Sequence, residues 1–536
     1  MRALLAAARD RIASRFRPPA PTEAELAEAA FDRAFYLETQ PDIAAAGRDP
    51  FDHFMADGWR EGRDPAPDFS LSAYLASYPH VAALRLNPLV HYVTHGRPAV
   101  LPPEPKQGFR FDVIERLSTV EERTAAATVG VVEPTPTPVL AEALGRSRDN
   151  LRRLHVTFSQ DDFTANLGGL QLSLSREAAR LAELGRDHLH LHPAKRWPVV
   201  RTAAEPDLLG VVWNGERVGT FPAAAIVAAL AAAAGPDEGR SFAVHSLLGH
   251  AADETADILA AVGLNAGTFW LHDFASICAG FHLMRDDVQD CGAPPPDSAA
   301  CGICVYGGGR VRHMTEHTRL FERLSLSVAA PSAVTLDFWR AKSGLPAVAE
   351  HVLPHATLKP RRRARVAGRA RPFRLAYAGL PAAYKGWPIF RSLTRRLVGD
   401  PRYEFLHLGA RPDPDARAQF QEVVAAADRP MAMRDALEAA EADAVLVWPL
   451  CRETFSIVAY EAVAAGAAVL TGPDSGNVAA FVAQTGYGRV LPDEAALVAA
   501  FESGGVLELA RARRKPMLYD LAFSALSLDL PAGGRP

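Results

Sequence analysis

Residues 441–472, EADAVLVWPLCRETFSIVAYEAVAAGAAVLTG, constrain what this chain can fold into more than any other stretch. The run 444–448 is continuously apolar and short, as a strand buried on both faces must be. Residues 451–454 are loop-like, 455–465 have helical length, Gly466 stops the helix, and 468–470 predict the next strand. Strand, helix and strand in that order form a βαβ unit, and such units build open parallel sheets with helices on both faces.

The same grammar recurs upstream. A strand at 154–158, a helix at 170–184 and a strand at 188–192 open a first α/β set, which continues with strands at 242–245 and 268–271. Strands at 374–378 and 403–408 open a second, which 444–448 continues. The reading is an α/β chain of two Rossmann-like domains: the first over 151–358 and the second over 374–505. A basic linker over 359–373 joins them, and residues 506–536 cross back to the first domain. At 536 residues the chain is too long for one core, which agrees with that division. Hydrophobic residues at 49%, charged residues at 22% and a net charge of −4 describe a folded chain with no basic field to recruit nucleic acid.

Ahead of the α/β sets lies an internal repeat. Residues 31–63 laid on 69–101 with a shift of 38 pair Phe31 with Phe69, Tyr36 with Tyr74, Pro41 with Pro79, Pro50 with Pro88, His53 with His91 and Gly58 with Gly96. Each unit is expected to form two short helices with turns at the prolines, and the shared histidines to pack between helices. The module reads as a surface for a protein partner. Residues 102–150 are expected to be a Pro- and Thr-rich linker. Residues 1–30 read as an N-terminal helix and linker. In it Arg2, Arg9, Arg11, Arg15 and Arg17 would allow at most peripheral contact with an anionic membrane. No apolar run reaches membrane-spanning length, and the N-terminal run is too short for a secretory leader. A cytoplasmic protein, with contact at an inner membrane surface as the one membrane role, is the expectation.

Two segments carry the chemistry. Glu453 and Glu461 are eight residues apart, which on one regular helix turns them by roughly 80°. They share a site only if Glu453 stands in the loop at the helix mouth, beyond the carboxyl ends of the strands. The second segment, RLAYAGLPAAYKGWPIF at 374–390, runs from strand through a glycine loop into a helix, with Lys385 at the helix entry. An ammonium there can neutralise a diphosphate as its bond to a sugar breaks.

TFSIVAYEA behind Glu453 resembles the E-x7-E motif of family 4 glycosyltransferases, which have the GT-B fold and mostly retain anomeric configuration. The resemblance covers roughly 150–505. It implies that Glu461 binds the donor ribose and Glu453 the transferred sugar, and that Lys385 carries phosphate. It further implies that Thr454, Phe455, Ser456, Ile457 and Gly379 line the donor site. Many members have an arginine soon after the loop glycine, where this chain has Leu380. In the first domain, the glycine loop at Gly168 and Gly169 resembles the acceptor or phosphate loop of that fold. His272 at a strand end matches a histidine that approaches the transferred sugar, with Asp273 expected to orient its ring.

The implied reaction moves a sugar from a UDP- or GDP-sugar to a glycan, lipid-linked or protein hydroxyl, with retention, without a metal and as part of surface polysaccharide assembly. The alternatives are a noncatalytic glycan-assembly scaffold and a nucleotide-sugar epimerase of similar fold. Asp413-Pro414-Asp415 spells a metal-binding DxD, but its Pro-rich setting fits a turn better. Cys278, Cys291, Cys301 and Cys304 crowd into 27 residues. A structural zinc, not a catalytic one, and reduced packed thiols are the two readings.

Overall fold

The computed structural model describes residues 21–98, 108–166, 168–363, 371–426, 429–512 and 516–530. The arginine-bearing segment over the first 17 residues lies outside them, as do residues 364–370 of the expected linker. The described chain divides into two compact units, one of Met1–Glu104 with Ser392–Tyr403 and one of Pro105–Arg391 with Glu404–Pro536.

In the first unit each repeat forms three short helical pieces rather than two: Arg33–Thr39, Pro41–Ala46 and Pro50–His53, then Leu71–Ser77, Pro79–Ala83 and Pro88–Thr94. The first helix of each repeat stops at a Gln or Tyr just before proline. A residue in that place is pushed out of the helical region, and proline then starts the next piece at its first turn. Equivalent tyrosines and histidines make equivalent bonds, Tyr36 to His53 Nδ1 at 3.0 Å and Tyr74 to His91 Nδ1 at 2.7 Å. His80 and His91 both reach the Val398 carbonyl, so the second repeat packs on the 392–403 segment.

The second unit holds both α/β sheets. Its strands are β1 His155–Phe158, β2 His188–Pro193, β3 Leu208–Trp213, β4 Glu216–Pro222, β5 Ser241–Val244, β6 Ala266–Trp270, β7 Met284–Arg285, β8 Gln289–Asp290, β9 Ser325–Ala330, β10 Ala349–Val352, β11 Ala356–Arg363, β12 Phe373–Ala378, β13 Tyr403–Gly409, β14 Gln419–Glu422, β15 Ala444–Leu446, β16 Ala468–Thr471, β17 Gly488–Val490 and β18 Met517–Phe523. The first sheet runs β10-β9-β6-β5-β1-β2-β3-β4, parallel from β10 to β2 and closed at one edge by the antiparallel β3–β4 hairpin. The second runs β14-β13-β12-β15-β16-β17. Numbered from its own first strand, that order is 3-2-1-4-5-6, the doubly wound dinucleotide-binding arrangement. Four helices matter below: α1 Gly169–Glu183, α2 Gly307–Arg323, α3 Trp387–Arg396 and α4 Ile457–Ala464.

Three expected boundaries shift. The 102–150 linker carries helices at Arg110–Glu115, Val120–Ala127 and Thr137–Gly145. The last of these buries Leu140, Ala143 and Leu144, spaced along one face, in the first core. The basic run expected as a linker from 359 begins as β11, paired antiparallel with β18, because its residues gain ladder bonds and its arginines meet Glu438 and Asp520 at the surface. Residues 392–403, assigned in sequence to the second Rossmann-like domain, group with the repeats. The C-terminal segment lies on the first sheet's side. Leu526 is buried with Leu174 and Trp270, and the Trp270 indole donates to Ser527 Oγ at 2.8 Å.

Candidate functional site

In a doubly wound sheet the ligand crevice opens where strand order reverses, beyond the carboxyl ends of the two strands there. In the second sheet those strands are β12 and β15. The loop after β12 carries Lys385 and the loop after β15 carries Glu453, and Lys385 Nζ meets Glu453 Oε1 at 2.5 Å. Residues 68 positions apart are thus paired at the switch point. Lys385 is 41% exposed and Glu453 11%. Burial alone would lower the lysine's pKa, but the carboxylate beside it outweighs that and holds it above the ordinary value. Gly386 sets the turn behind Lys385 with φ of 85°, where a Cβ would run into the Trp448 carbonyl oxygen. Only glycine fits that approach. Gly379, at the end of β12, has φ of 116°, and its carbonyl accepts from His407. Leu380 is half exposed, and its carbonyl accepts from the Tyr377 hydroxyl.

The helix behind Glu453 starts two residues later than the sequence indicates, at Ile457. Ser456 caps it in a left-handed conformation, φ 68°, a strained backbone for a residue with a side chain. Four hydrogen bonds hold this loop. Asn477 N donates to Glu453 O, the Asn477 side chain donates to Phe455 O, and Ser332 and Thr335 donate to Thr454 O. Among the described residues no backbone hydrogen bond engages the amides of Phe455, Ser456 and Ile457. Gly169 approaches from the first sheet, where an added Cβ would lie 3.9 Å from Ile457.

Thr454 Oγ1 donates to the His272 carbonyl at 3.0 Å, which ties the loop after β6 to the loop after β15. The expected orienting role of Asp273 is not what the structure shows. Asp273 accepts from Ala275 N, closing its own turn, while burial lifts its pKa to about 6. His272 is held instead by two other histidines, Nε2 on His245 at 2.8 Å and Nδ1 on His355 at 3.2 Å. His245 in turn meets Glu177 at 3.2 Å. Burial, then the two neighbouring rings, push the His272 pKa well down, so the imidazole is neutral at pH 7. His245 follows β5, next to β1, so this chain of side chains stands at the carboxyl ends of the strands at the first sheet's switch point. Sequence reading missed Glu177, His245 and His355; the one available signal was that His245, like His272, ends a strand.

Glu461, expected at the cleft edge, is 6% exposed. Burial raises its pKa to about 7, and Arg176 and Arg434 oppose that shift. Arg176, on α1, lies over the Phe523 ring, and its buried Nη1 has no partner among the described residues. His282, also unforeseen, stacks on Tyr384 with ring centres 4.9 Å apart, and its pKa is lowered to about 4 by burial and then by the Lys385 charge. Arg452, next to Glu453, pairs with Asp290 of β8 at 2.8 Å.

Asp413 accepts from the Trp387 indole, and Asp415 N folds back on Asp413, a turn built on the DxD sequence. Among the described residues no three His, Cys, Asp or Glu side chains stand together in a position to hold a metal ion, the four clustered cysteines included. Nor is any described helix long and apolar enough to cross a membrane.

No family model matches the chain, and no curated protein matches it in sequence. Among solved structures it is similar to sucrose-phosphate synthase from Thermosynechococcus elongatus, with 15% identity and a TM-score of 0.45 over 68% of this chain and 92% of that one. It is also similar to Anabaena HepE in complex with UDP-glucose, with 11% identity and a TM-score of 0.39 over 67% and 91% of the two chains. A glycosyltransferase from Rickettsia africae matches with 10% identity and a TM-score of 0.40 over 68% and 92%.

Proposed function

We propose that this chain is a glycosyltransferase of GT-B type that moves a sugar from a nucleoside diphosphate donor to a hydroxyl acceptor. The observation that carries the reading is the Lys385–Glu453 pair at the switch point of a 3-2-1-4-5-6 sheet. A nucleotide bound there meets an ammonium, a strained helix entry with open amides and a carboxylate within one loop-to-loop contact. In this reading Lys385 and the amides of Phe455 to Ile457 bear the diphosphate. Glu453 binds sugar hydroxyls, and Glu461 with the open Nη1 of Arg176 receives the ribose hydroxyls. The His272 ring, neutral and with both nitrogens bonded to His245 and His355, forms part of the wall facing the sugar or acceptor.

In this reading transfer proceeds with retention. The bond between the anomeric carbon and the diphosphate oxygen breaks, the acceptor oxygen bonds to the same face, and the departing phosphate takes the acceptor proton. Lys385 and the helix entry stabilise the charge that develops on the leaving group. No separate base and no divalent metal is required. We place the reaction in surface glycan assembly, with the repeats of residues 31–101 as the module for a protein partner.

The test is thermal stabilisation by UDP, GDP and their sugars, followed by a transfer assay with the stabilising donor. Turnover lost in Lys385→Ala and Glu453→Gln, with circular dichroism unchanged, supports the enzyme. Binding without turnover for every donor assigns a scaffold, and donor interconversion without acceptor assigns an epimerase. No stabilisation by any nucleotide refutes the site.

A further inference from the structure

Cys278, Cys291, Cys301 and Cys304 line one cavity of about 40 Å³, and none is in a disulfide. Two come from either side of the β7–β8 hairpin. The other two come from one turn, in which Ser298 caps Ala299–Gly302 and Cys304 N donates to the Cys301 carbonyl. Arg310 of α2 also lines the cavity. It is 4% exposed, its Nη1 donates to Cys301 Sγ at 2.8 Å, and its Nε is buried without a partner among the described residues. No carboxylate lines the cavity, and among the described residues none pairs with Arg310. A buried guanidinium is costly unless an anion accompanies it, and no carboxylate of this wall supplies one. Thiolates crowded together need a cation of their own.

We propose that the four sulfurs close on one zinc ion as a tetrahedral tetrathiolate site, with Arg310 offsetting its surplus negative charge. Four sulfur ligands in that geometry select zinc over harder ions. As the sulfurs stand, no three are in ligating position, so the ion draws them inward and contracts the cavity. Each thiol releases its proton to solvent as its sulfur binds: one Zn²⁺ and four thiols give a dianionic tetrathiolate and four protons. The site's purpose lies in what its loop carries. His282, four residues beyond Cys278, stacks on Tyr384 beside Lys385, and Asp290, next to Cys291, pairs with Arg452 beside Glu453. The ion pins these two contacts where a hairpin of two-residue strands alone holds them weakly.

The test reads metal, not turnover, so it stands apart from the proposed reaction. Full-length protein purified with reductant is analysed by mass spectrometry for metals, then exchanged into Co²⁺ for absorption spectroscopy. One zinc per chain, with the charge-transfer and ligand-field bands of a tetrathiolate cobalt site, is expected. Cys301→Ser with Cys304→Ser should lower bound zinc at least tenfold, whereas Cys451→Ser, outside the cluster, should keep it. If the double variant fails to fold, the wild-type cobalt spectrum decides. Reduced protein with five titratable thiols that takes up neither ion, or zinc retained in the double variant, overturns the proposal.

Discussion

Replacing Glu453 with Gln leaves the Lys385 ammonium against a neutral amide. The pair spans 2.5 Å, with the lysine 41% and the glutamate 11% exposed. Exposed ion pairs contribute about 0.2–1 kcal/mol, and removing one member of a fully buried pair costs about 3–5 kcal/mol. With one side chain in solvent, screening places this pair at about 1–2 kcal/mol. A double-mutant cycle of Lys385→Met, Glu453→Gln and both isolates that coupling. The readout is urea unfolding followed by tryptophan fluorescence, for which Trp387 and Trp448 are buried reporters close to the pair. The pH dependence has a definite sign. A lysine whose folded pKa is raised contributes in full below its unfolded value, 10.5, and loses the contribution as pH rises through the higher folded value. The coupling should therefore be equal at neutral and mildly alkaline pH and shrink only above 10.5. Glu453→Gln should also free the ammonium for phosphate, so UDP binds as tightly or tighter by calorimetry while transfer is lost. A coupling under about 0.3 kcal/mol, or one already falling below pH 9, refutes the account of the pair.

Gly379→Ala, at φ of 116° with open space around it, should cost about 1–2 kcal/mol in urea unfolding. Gly386→Ala adds an overlap with the Trp448 carbonyl and should cost at least about 2 kcal/mol more. Burial holds Glu461 at about 7 against an ordinary 4.5, so it favours the fold below 4.5 and that contribution is lost as pH rises through 7. Glu461→Gln should flatten the stability change across that window by up to about 3 kcal/mol, measured as unfolding free energy against pH. His91 in the second repeat is lowered to about 4, mainly by burial, so its contribution is present above 6.5 and lost as pH falls through 4. Hydrogen exchange should show the repeats opening across that interval and His91→Asn weakening the dependence.

The glycines and the Glu453 and Lys385 segments were legible because each is local. A five-residue apolar run, a glycine stop and a proline at a helix start are written in neighbouring residues. The eight strands that the pattern placed therefore begin within two residues of their observed starts. The 38-residue repeat was equally visible, since identical units make identical bonds, as Tyr36–His53 and Tyr74–His91 do. The β3–β4 hairpin and the helices of 105–150 were not legible, because their burial depends on a sheet edge and a core supplied by residues far along the chain.

By itself the sequence determined the α/β class, the loops that hold the charged residues and the crowding of four cysteines, since each follows from spacing along one chain. Only the tertiary structure decided which side chains meet. It placed Lys385 on Glu453, gave His272 to His245 and His355 rather than to adjacent Asp273, buried Glu461 with Arg176 nearby, and set Arg310 on Cys301. The reason is physical: partners are chosen by the crossing of strands at a switch point and by desolvation in the closed interior, and neither is written in the spacing of neighbouring residues.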